Sequence, residues 1–256
     1  MGKHKRHWTS RQGGGSSSSQ AASTCVIIFS KAPIPGEVKT RLCPPLTPDE
    51  AASLHGSMVL DLIERTKRCQ GVHRLLACSP SLDHPFFTTV GSRHGFQLLN
   101  QTGEDLGSRM HHAIQTSFSQ GFQNVILIGT DIPSLQSSIV KAAQDQLVDH
   151  DVVLGPTYDG GYYLIGLQHP QADLFTNLPW STDQVCSLTR SKAGTLGLSV
   201  GELQTERDLD TLDDLQHHLQ VLDGPQSSLI SLRTQGVLRT LQGRLSSRGP
   251  VHSSPE

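Results

Sequence analysis

The sequence predicts an α/β protein: one domain built on a mixed, mainly parallel sheet with helices on both faces. Three observations carry that expectation. Short apolar runs of strand length alternate with longer amphipathic stretches, the rhythm of repeated strand–helix–strand units. Charged residues follow directly on the apolar runs, at the carboxyl edge where open α/β sheets bind ligands. No internal repeat or linker breaks the middle of the 256 residues, a length that buries one large core without help from metals or disulfides.

The elements follow in order. Val26–Phe29 is an apolar run that reads as a buried strand, and Pro48–Arg68 is amphipathic and reads as a helix. Arg74–Cys78 and Phe96–Leu99 are the next predicted strands, and Leu106–Phe118 is a helix with Asp105 as its cap. Val125–Ile128 is a strand, and Thr130 or Ser134 starts a helix running to about Val148. Val152–Leu154, Tyr162–Ile165 and Leu196–Val200 read as further strands. Thr211–Leu222 carries Asp213 and Asp214 in its first turn, where carboxylates favour the helix dipole, and Ser227–Leu241 suggests a last helix. Residues 1–23 hold Lys3, Lys5, Arg6 and Arg11 with no acid, then glycine and serine runs. Such a segment buries too little apolar area to order itself and is expected to be a disordered basic tail, with a targeting segment as the alternative. The domain is expected over 24–245, and the Ser/Pro/Gly-rich 246–256 is expected to be a flexible tail.

Composition narrows the function classes. A net charge of −2 supplies no field to draw the chain onto nucleic acid or an anionic membrane. No apolar run approaches the roughly 20 residues of a membrane helix. The five cysteines are odd in number, scattered and without a Cys-x-x-Cys pair, as for free thiols in a reducing cytosol. The expectation is a cytoplasmic protein whose partners are small molecules, with no nucleic acid and no membrane; the oligomeric state is not written in the sequence.

Four segments could carry chemistry. Lys31-Ala32-Pro33-Ile34-Pro35-Gly36-Glu37-Val38-Lys39-Thr40-Arg41-Leu42 empties the first strand into a basic loop. Lys39 and Arg41, two apart, fall on one side of an extended loop, and Lys31 returns toward them if the prolines bend the chain. Gly36 lets backbone amides approach, so a polyphosphate could be held there, although a solvated loop has the same composition. Asp131 stands at the end of Val125–Ile128, in Gly129-Thr130-Asp131-Ile132-Pro133, as a ligand for Mg2+ or Mn2+ or as a turn cap. Asp159 with Gly160 and Gly161 either turns a hairpin or orients a hydroxyl or a metal-bound water beside open main chain. Asp208 and Asp210 precede the Thr211 cap, and one of them could complete a metal site with Asp131. Arg109, one turn into its helix, could face a nucleotide. Trp180-Ser181-Thr182 could wall an acceptor or anchor on the core, whereas His111-His112 and His217-His218 read as surface pairs.

In this order, the loop from Lys31 to Leu42, Gly129–Pro133, Gly155-Pro156-x-x-Asp159-Gly160-Gly161-Tyr162-Tyr163-Leu164-Ile165-Gly166, Trp180-Ser181-Thr182 and Asp208–Thr211 resemble one bacterial family. It is the glycosyltransferase-A-type family labelled arsenosugar-biosynthesis glycosyltransferase, of the nucleotide-diphospho-sugar transferase superfamily and related to phospholactate guanylyltransferases. The resemblance spans about Cys25 to Leu222. It implies a compact Rossmann-like domain, phosphates held by Lys39 and Arg41, a divalent metal on Asp131 completed by Asp210 with Asp208 as substitute, and an acceptor lined by Asp159–Tyr162. Catalytic weight then falls on Asp131, Lys39 and Asp159. Pro133 stands where metal-dependent glycosyltransferases of this fold carry a second carboxylate, a feature more like nucleotidyltransferases. The resemblance implies a metal-dependent transferase moving a sugar from a nucleotide sugar to a small acceptor. The alternatives are a guanylyltransferase-like enzyme that consumes a nucleoside triphosphate and releases pyrophosphate, and a non-catalytic nucleotide-binding module.

Overall fold

A computed structural model of the protein describes residues 23–247; the expected tails lie outside the described residues except for Ser23, Ser246 and Ser247. The chain runs β1 (Thr24–Lys31), α1 (Pro48–Thr66), β2 (Val72–Ser79), α2 (Pro85–His94), β3 (Gln97–Asn100), α3 (Leu106–Ser119), β4 (Asn124–Gly129), α4 (Ser138–Gln146), β5 (Val152–Pro156), β6 (Tyr162–Leu167), α5 (Val185–Thr195), β7 (Val200–Glu202), α6 (Leu212–Val221) and α7 (Leu232–Ser247). The strands form one sheet in the order β3-β2-β1-β4-β6-β5-β7. Every pairing is parallel except the two made by β6, which lies antiparallel between β4 and β5. This is the mixed, mainly parallel α/β sheet that the sequence predicts.

β1 shows why both faces are covered. Cys25 through Ile28 are fully buried, as a central parallel strand requires. Val26 and Ile28 pack with Val59 and Ile63 of α1, Phe87 of α2 and Val140 of α4, whereas Cys25 and Ile27 join Met110 and Ile114 of α3 and Cys186 of α5. A third cluster outside the sheet packs Leu42, Leu54, Leu209, Leu215 and Leu238 together, and so fixes the loop after β1 against α1, α6 and α7. Helix starts are written locally. Thr47 and Glu50 form a reciprocal capping box on α1, with Pro48 at its first position, and Thr211 and Asp214 do the same on α6.

Several expected boundaries move. The residues after Pro133 stay in turns until α4 begins at Ser138. They are held by the buried Arg65, whose guanidinium donates to the carbonyls of Pro133 (3.0 Å), Leu135 (2.5 Å) and Leu229 (2.6 Å). Leu196 and Leu198, read as strand, belong to the end of α5: Gly197 is left-handed (φ 72°) and the Leu198 amide bonds back to Ala193, so β7 starts at Val200. The last helix starts at Leu232, not Ser227, because residues Pro225–Leu229 form a separate 3-10 turn. All five cysteines are free thiols, and among the described residues no helix is long and apolar enough to cross a membrane.

α7 is tied to α1 by a nearly buried carboxylate. Asp61, 4% exposed, accepts from Thr234 Oγ1 (2.6 Å), the Thr234 amide (3.3 Å) and Arg233 Nη1 (2.5 Å). Asp61→Ala leaves the Thr234 amide and Arg233 Nη1 without this acceptor inside the α1–α7 contact, although Thr234 Oγ1 keeps Ser57 and Arg233 keeps Glu64, and is expected to lower stability by about 2–3 kcal/mol. Urea unfolding at unchanged m-value reads the loss; an unchanged midpoint would show that the tie contributes nothing.

Candidate functional site

The site forms where the order of strand addition reverses. β1 is followed by β2 on one side and reaches β4 on the other, so the carboxyl ends of β1 and β4 open a crevice between outgoing connections. β1 delivers Lys31 and the basic loop, and β4 delivers Asp131 two residues past its end. A third strap, Glu206–Asp210, is fastened beside them: the Leu209 amide donates to the Asp131 carbonyl (2.9 Å) and Glu206 bridges to Thr157. The strap's far end is pinned by Asp214, which accepts from Arg207 (3.1 Å), the Asp210 amide (3.3 Å) and the Thr211 amide (3.0 Å).

Lys39 is the centre of this arrangement. The basic loop is not extended: Lys39 adopts a left-handed conformation (φ 49°) before a 3-10 turn, Thr40–Leu42, anchored by the fully buried Leu42. Lys39 and Arg41 therefore point differently. The Lys39 side chain is 2% exposed and pairs directly with Asp131, with Asp210 Oδ1 3.6 Å away, whereas the Arg41 side chain is 60% exposed and reaches Asp210 Oδ2 at 3.3 Å. Burial alone would push the Lys39 ammonium down, but the carboxylates of Asp131 and Asp210 outweigh it and hold its pKa above the usual lysine value. The Asp131 side chain is about half exposed in the crevice; partial desolvation opposes its ionisation and Lys39 overrides it, so the carboxylate titrates below its ordinary range. Asp208 behaves in the opposite way. Burial, then the nearby carboxylates of Asp159 and Asp214, push it up to about 7.

Two cavities meet at Asp131. One of about 440 Å³ is lined by Lys31, Lys39, Arg41, His55, Arg109 and Thr130, with Glu37, Glu104 and Asp105 also on its wall. The other, of about 420 Å³, is lined by Asp159, Gly161, Tyr162, Trp180, Asp208 and Asp210; Arg41, Leu106, Asp131, Ser181 and Asp210 border both. Of the residues singled out from the sequence, Lys31, Lys39, Arg41, Arg109, Asp131, Asp159, Gly161, Asp208 and Asp210 line these cavities. Arg109 also donates Nε to the Gly103 carbonyl (2.9 Å). Asp159 is partly engaged in its own turn, where Oδ1 accepts from Thr157 Oγ1 (2.5 Å) and the Gly161 amide (3.0 Å). Gly36 lies on a positive-φ turn with nothing near the position of an added Cβ, and it borders neither cavity.

Gly160 differs from its expected role. The space that its missing side chain leaves is filled by the protein: a Cβ there would lie 2.0 Å from the Asp183 carbonyl oxygen, at φ +87°. The residue fits the β5–β6 turn against the 181–183 loop instead of leaving room for a ligand. Gly160→Ala is expected to cost about 3 kcal/mol through left-handed strain and backbone collision. A thermal unfolding midpoint within error of the parent would contradict this packing.

The structure adds His55 and Gln101, which the sequence did not flag, and places Trp180, Ser181 and His218, which it did. His55 is buried on α1 with Nε2 3.0 Å from the Lys31 carbonyl, which leaves Nδ1 as a buried acceptor without a partner. Gln101 Nε2 donates to the Ser30 and Ala77 carbonyls, both at 2.9 Å, and so joins the ends of β1 and β2. Ser181, at the border of both cavities, has φ 67°. Trp180 serves in both readings: it packs against the core cluster below α3 and also lines the second cavity. His218 is not a surface residue. It is 3% exposed, with Nε2 3.1 Å from the Asp208 carbonyl, and burial lowers its pKa to about 4.

Among the described residues no three His, Cys, Asp or Glu side chains are gathered into a ready-made metal site. The donor set nevertheless fits a hard cation, because the carboxylates of Asp131, Asp208 and Asp210 border one cavity and oxygen ligands are what Mg2+ and Mn2+ take.

A reversal of strand order here brings a buried cation, carboxylates and two joined cavities together at the carboxyl edge, and similarity to known transferases marks the chain as a nucleotide-using α/β transferase. A crystal structure assigned as a nucleotide-diphospho-sugar transferase from Desulfovibrio desulfuricans G20 is 30% identical with a TM-score of 0.79, covering 88% of this chain and 98% of that one. The chain belongs to the family of that protein, the nucleotide-diphospho-sugar transferases. It is also 31% identical over 143 residues to the 2-phospho-L-lactate guanylyltransferase of Methanothermobacter thermautotrophicus, a match covering 54% of this chain and 59% of that enzyme. The match thus spans less than two thirds of the relative's length. Residues 62–182 match the family described as an uncharacterized protein conserved in bacteria (DUF2064). A cytidylyltransferase from Leptospira borgpetersenii shares the fold at 15% identity and a TM-score of 0.50, covering 91% of this chain and 99% of that one.

Proposed function

We propose that the protein is a metal-dependent transferase that moves a glycosyl group from a nucleotide sugar to a small acceptor. The observation that carries this reading is Lys39, buried between Asp131 and Asp210 at the mouth shared by the two cavities. In this reading Lys39 and the more exposed Arg41 hold the donor's diphosphate, with Lys31 and Arg109 along the same wall. Asp131 and Asp210, with Asp208 beside them, would hold Mg2+ or Mn2+. A divalent cation bound there supplies charge stabilisation to the departing diphosphate. The acceptor would enter on the side of Asp159, Gly161, Tyr162 and Trp180, where the Asp159 carboxylate would accept a hydrogen bond from its hydroxyl. The arsenosugar-biosynthesis label suggested by the motifs names one such sugar transfer.

Two features favour a second reading, nucleotidyl transfer with release of pyrophosphate. They are the likeness to a guanylyltransferase and the single carboxylate of Asp131-Ile132-Pro133. Nucleotide sugars and nucleoside triphosphates supplied separately with Mg2+ or Mn2+ separate the two: nucleoside diphosphate appears in one case and pyrophosphate in the other. A plain nucleotide-binding module would give neither, and its nucleotide-induced thermal stabilisation would be indifferent to metal and survive Asp131→Ala.

A further inference from the structure

We infer that Arg65 is a positioning residue for Asp131: from α1 it holds the main chain that follows Asp131 and so sets that carboxylate at the meeting point of the two cavities. The inference rests on the reading of Asp131 as a ligand of the divalent cation, and adds to it a residue that lines neither cavity. The sheet does not hold Asp131. β4 makes its last ladder pairs at Ile128 with β6 and at Gly129 with β1, so Thr130 and Asp131 lie beyond the ladder. On the crevice side the Asp131 carbonyl accepts from the Leu209 amide (2.9 Å). After it, Ile132 and Leu135 join the core cluster that holds Val59 and Ile63 of α1, and Pro133 between them has no N–H to donate.

Two carbonyls of this stretch are left to a side chain. Among the described residues no main-chain amide of a turn or loop reaches the carbonyl of Pro133 or of Leu135. Arg65 Nη1 serves both, at 3.0 and 2.5 Å, while Nη2 donates to the Leu229 carbonyl ahead of α7 (2.6 Å). Gln136 Nε2 also reaches Leu229 (2.8 Å), so the contacts that depend on Arg65 alone are those two and four residues past Asp131. Arg65 is 9% exposed, and Asp61, one turn earlier on α1, pairs with Arg233 and not with it. Filling this space does not need a buried cation, whose desolvation is costly. A guanidinium suits the task because its planar fork donates in several fixed directions, and here it holds three carbonyls of two segments at once.

The test compares Arg65→Met, Arg65→Lys and Asp61→Ala in the full chain. Asp61→Ala is the stability control, since it loosens the α1–α7 contact without removing a partner from the Asp131 loop. Two quantities are read at a temperature where each variant is folded. One is Mn2+ affinity by electron paramagnetic resonance with no nucleotide present; the other is hydrogen exchange of the Leu209 amide by NMR, which reports on its bond to the Asp131 carbonyl. Arg65→Met is expected to weaken Mn2+ binding at least about tenfold, the usual effect of losing an outer support of a ligand, and to speed Leu209 exchange by about tenfold or more. Arg65→Lys, with a compact charge on a flexible stem, is expected to fall between the parent and Arg65→Met, and it stands in for the methionine variant if that one does not fold. Asp61→Ala is expected to leave both quantities within about twofold of the parent. Either quantity at its parent value in the folded Arg65 variants, or an equal fall in Asp61→Ala, overturns the inference. If the parent binds no Mn2+, the metal reading fails, and Leu209 exchange alone decides whether Arg65 positions Asp131.

Discussion

Asp131→Asn is expected to cut turnover by about 10³-fold while leaving the protein folded, since losing one preorganised charge at a reacting diphosphate typically costs that much. Asparagine keeps the shape and the oxygen that accepts from Lys39, so the buried ammonium retains a partner, and Asp210 stays 3.6 Å away. The Asp131 main chain is also unaffected, including the carbonyl that accepts from Leu209 and seats the 206–210 strap. What changes is the charge available to a divalent cation at the meeting point of the two cavities. Nucleoside diphosphate release at saturating Mn2+ measures the loss, with the thermal midpoint as the folding control. Full metal-dependent turnover in the variant would remove Asp131 from the proposed metal site.

The sequence displays the frame of this site better than its interior. The carboxyl-edge positions of Lys31 and Asp131 follow from two apolar runs, because a strand buried on both faces must be apolar throughout and must end where charge begins. The burial of Lys39 was not legible. It depends on a left-handed residue and a 3-10 turn held by Leu42 packing against α1, α6 and α7, a contact between segments far apart in the chain. His218 reads as exposed from its histidine neighbour, yet the 206–210 strap covers it. α2 and α5 escaped because their serines, threonines and glycines blur the apolar period, and α5 is marked mainly by the Leu196-Gly197-Leu198 ending that imitates a strand. The hairpin of β5 and β6 could be read from Asp159-Gly160-Gly161, but not its insertion beside β4, since either strand of a hairpin can pair with the existing edge.

Lys39→Met is expected to move two affinities in opposite directions, and that opposition is what makes it informative. Methionine fills a similar volume, so the buried stem keeps its packing. Removing the ammonium takes the direct partner from Asp131 and a neighbour at 3.6 Å from Asp210. Asp131 is 49% exposed on its side chain, so it can take up water and the protein need not unfold. Nucleotide binding is expected to weaken by about 2–3 kcal/mol, roughly 30- to 150-fold, because a desolvated phosphate contact is lost. The free enzyme's affinity for Mn2+ is expected to rise about tenfold, since the carboxylates no longer have a competing cation between them. Mn2+ titration followed by electron paramagnetic resonance reads the second change without any nucleotide, and calorimetry with a nucleoside diphosphate reads the first. If Lys39 were only a structural counter-ion, nucleotide affinity would stay at the parent value while Mn2+ affinity rose. If Asp131 and Asp210 held no metal, Mn2+ affinity would stay fixed while nucleotide binding fell. Only a phosphate anchor placed on top of a metal site moves both.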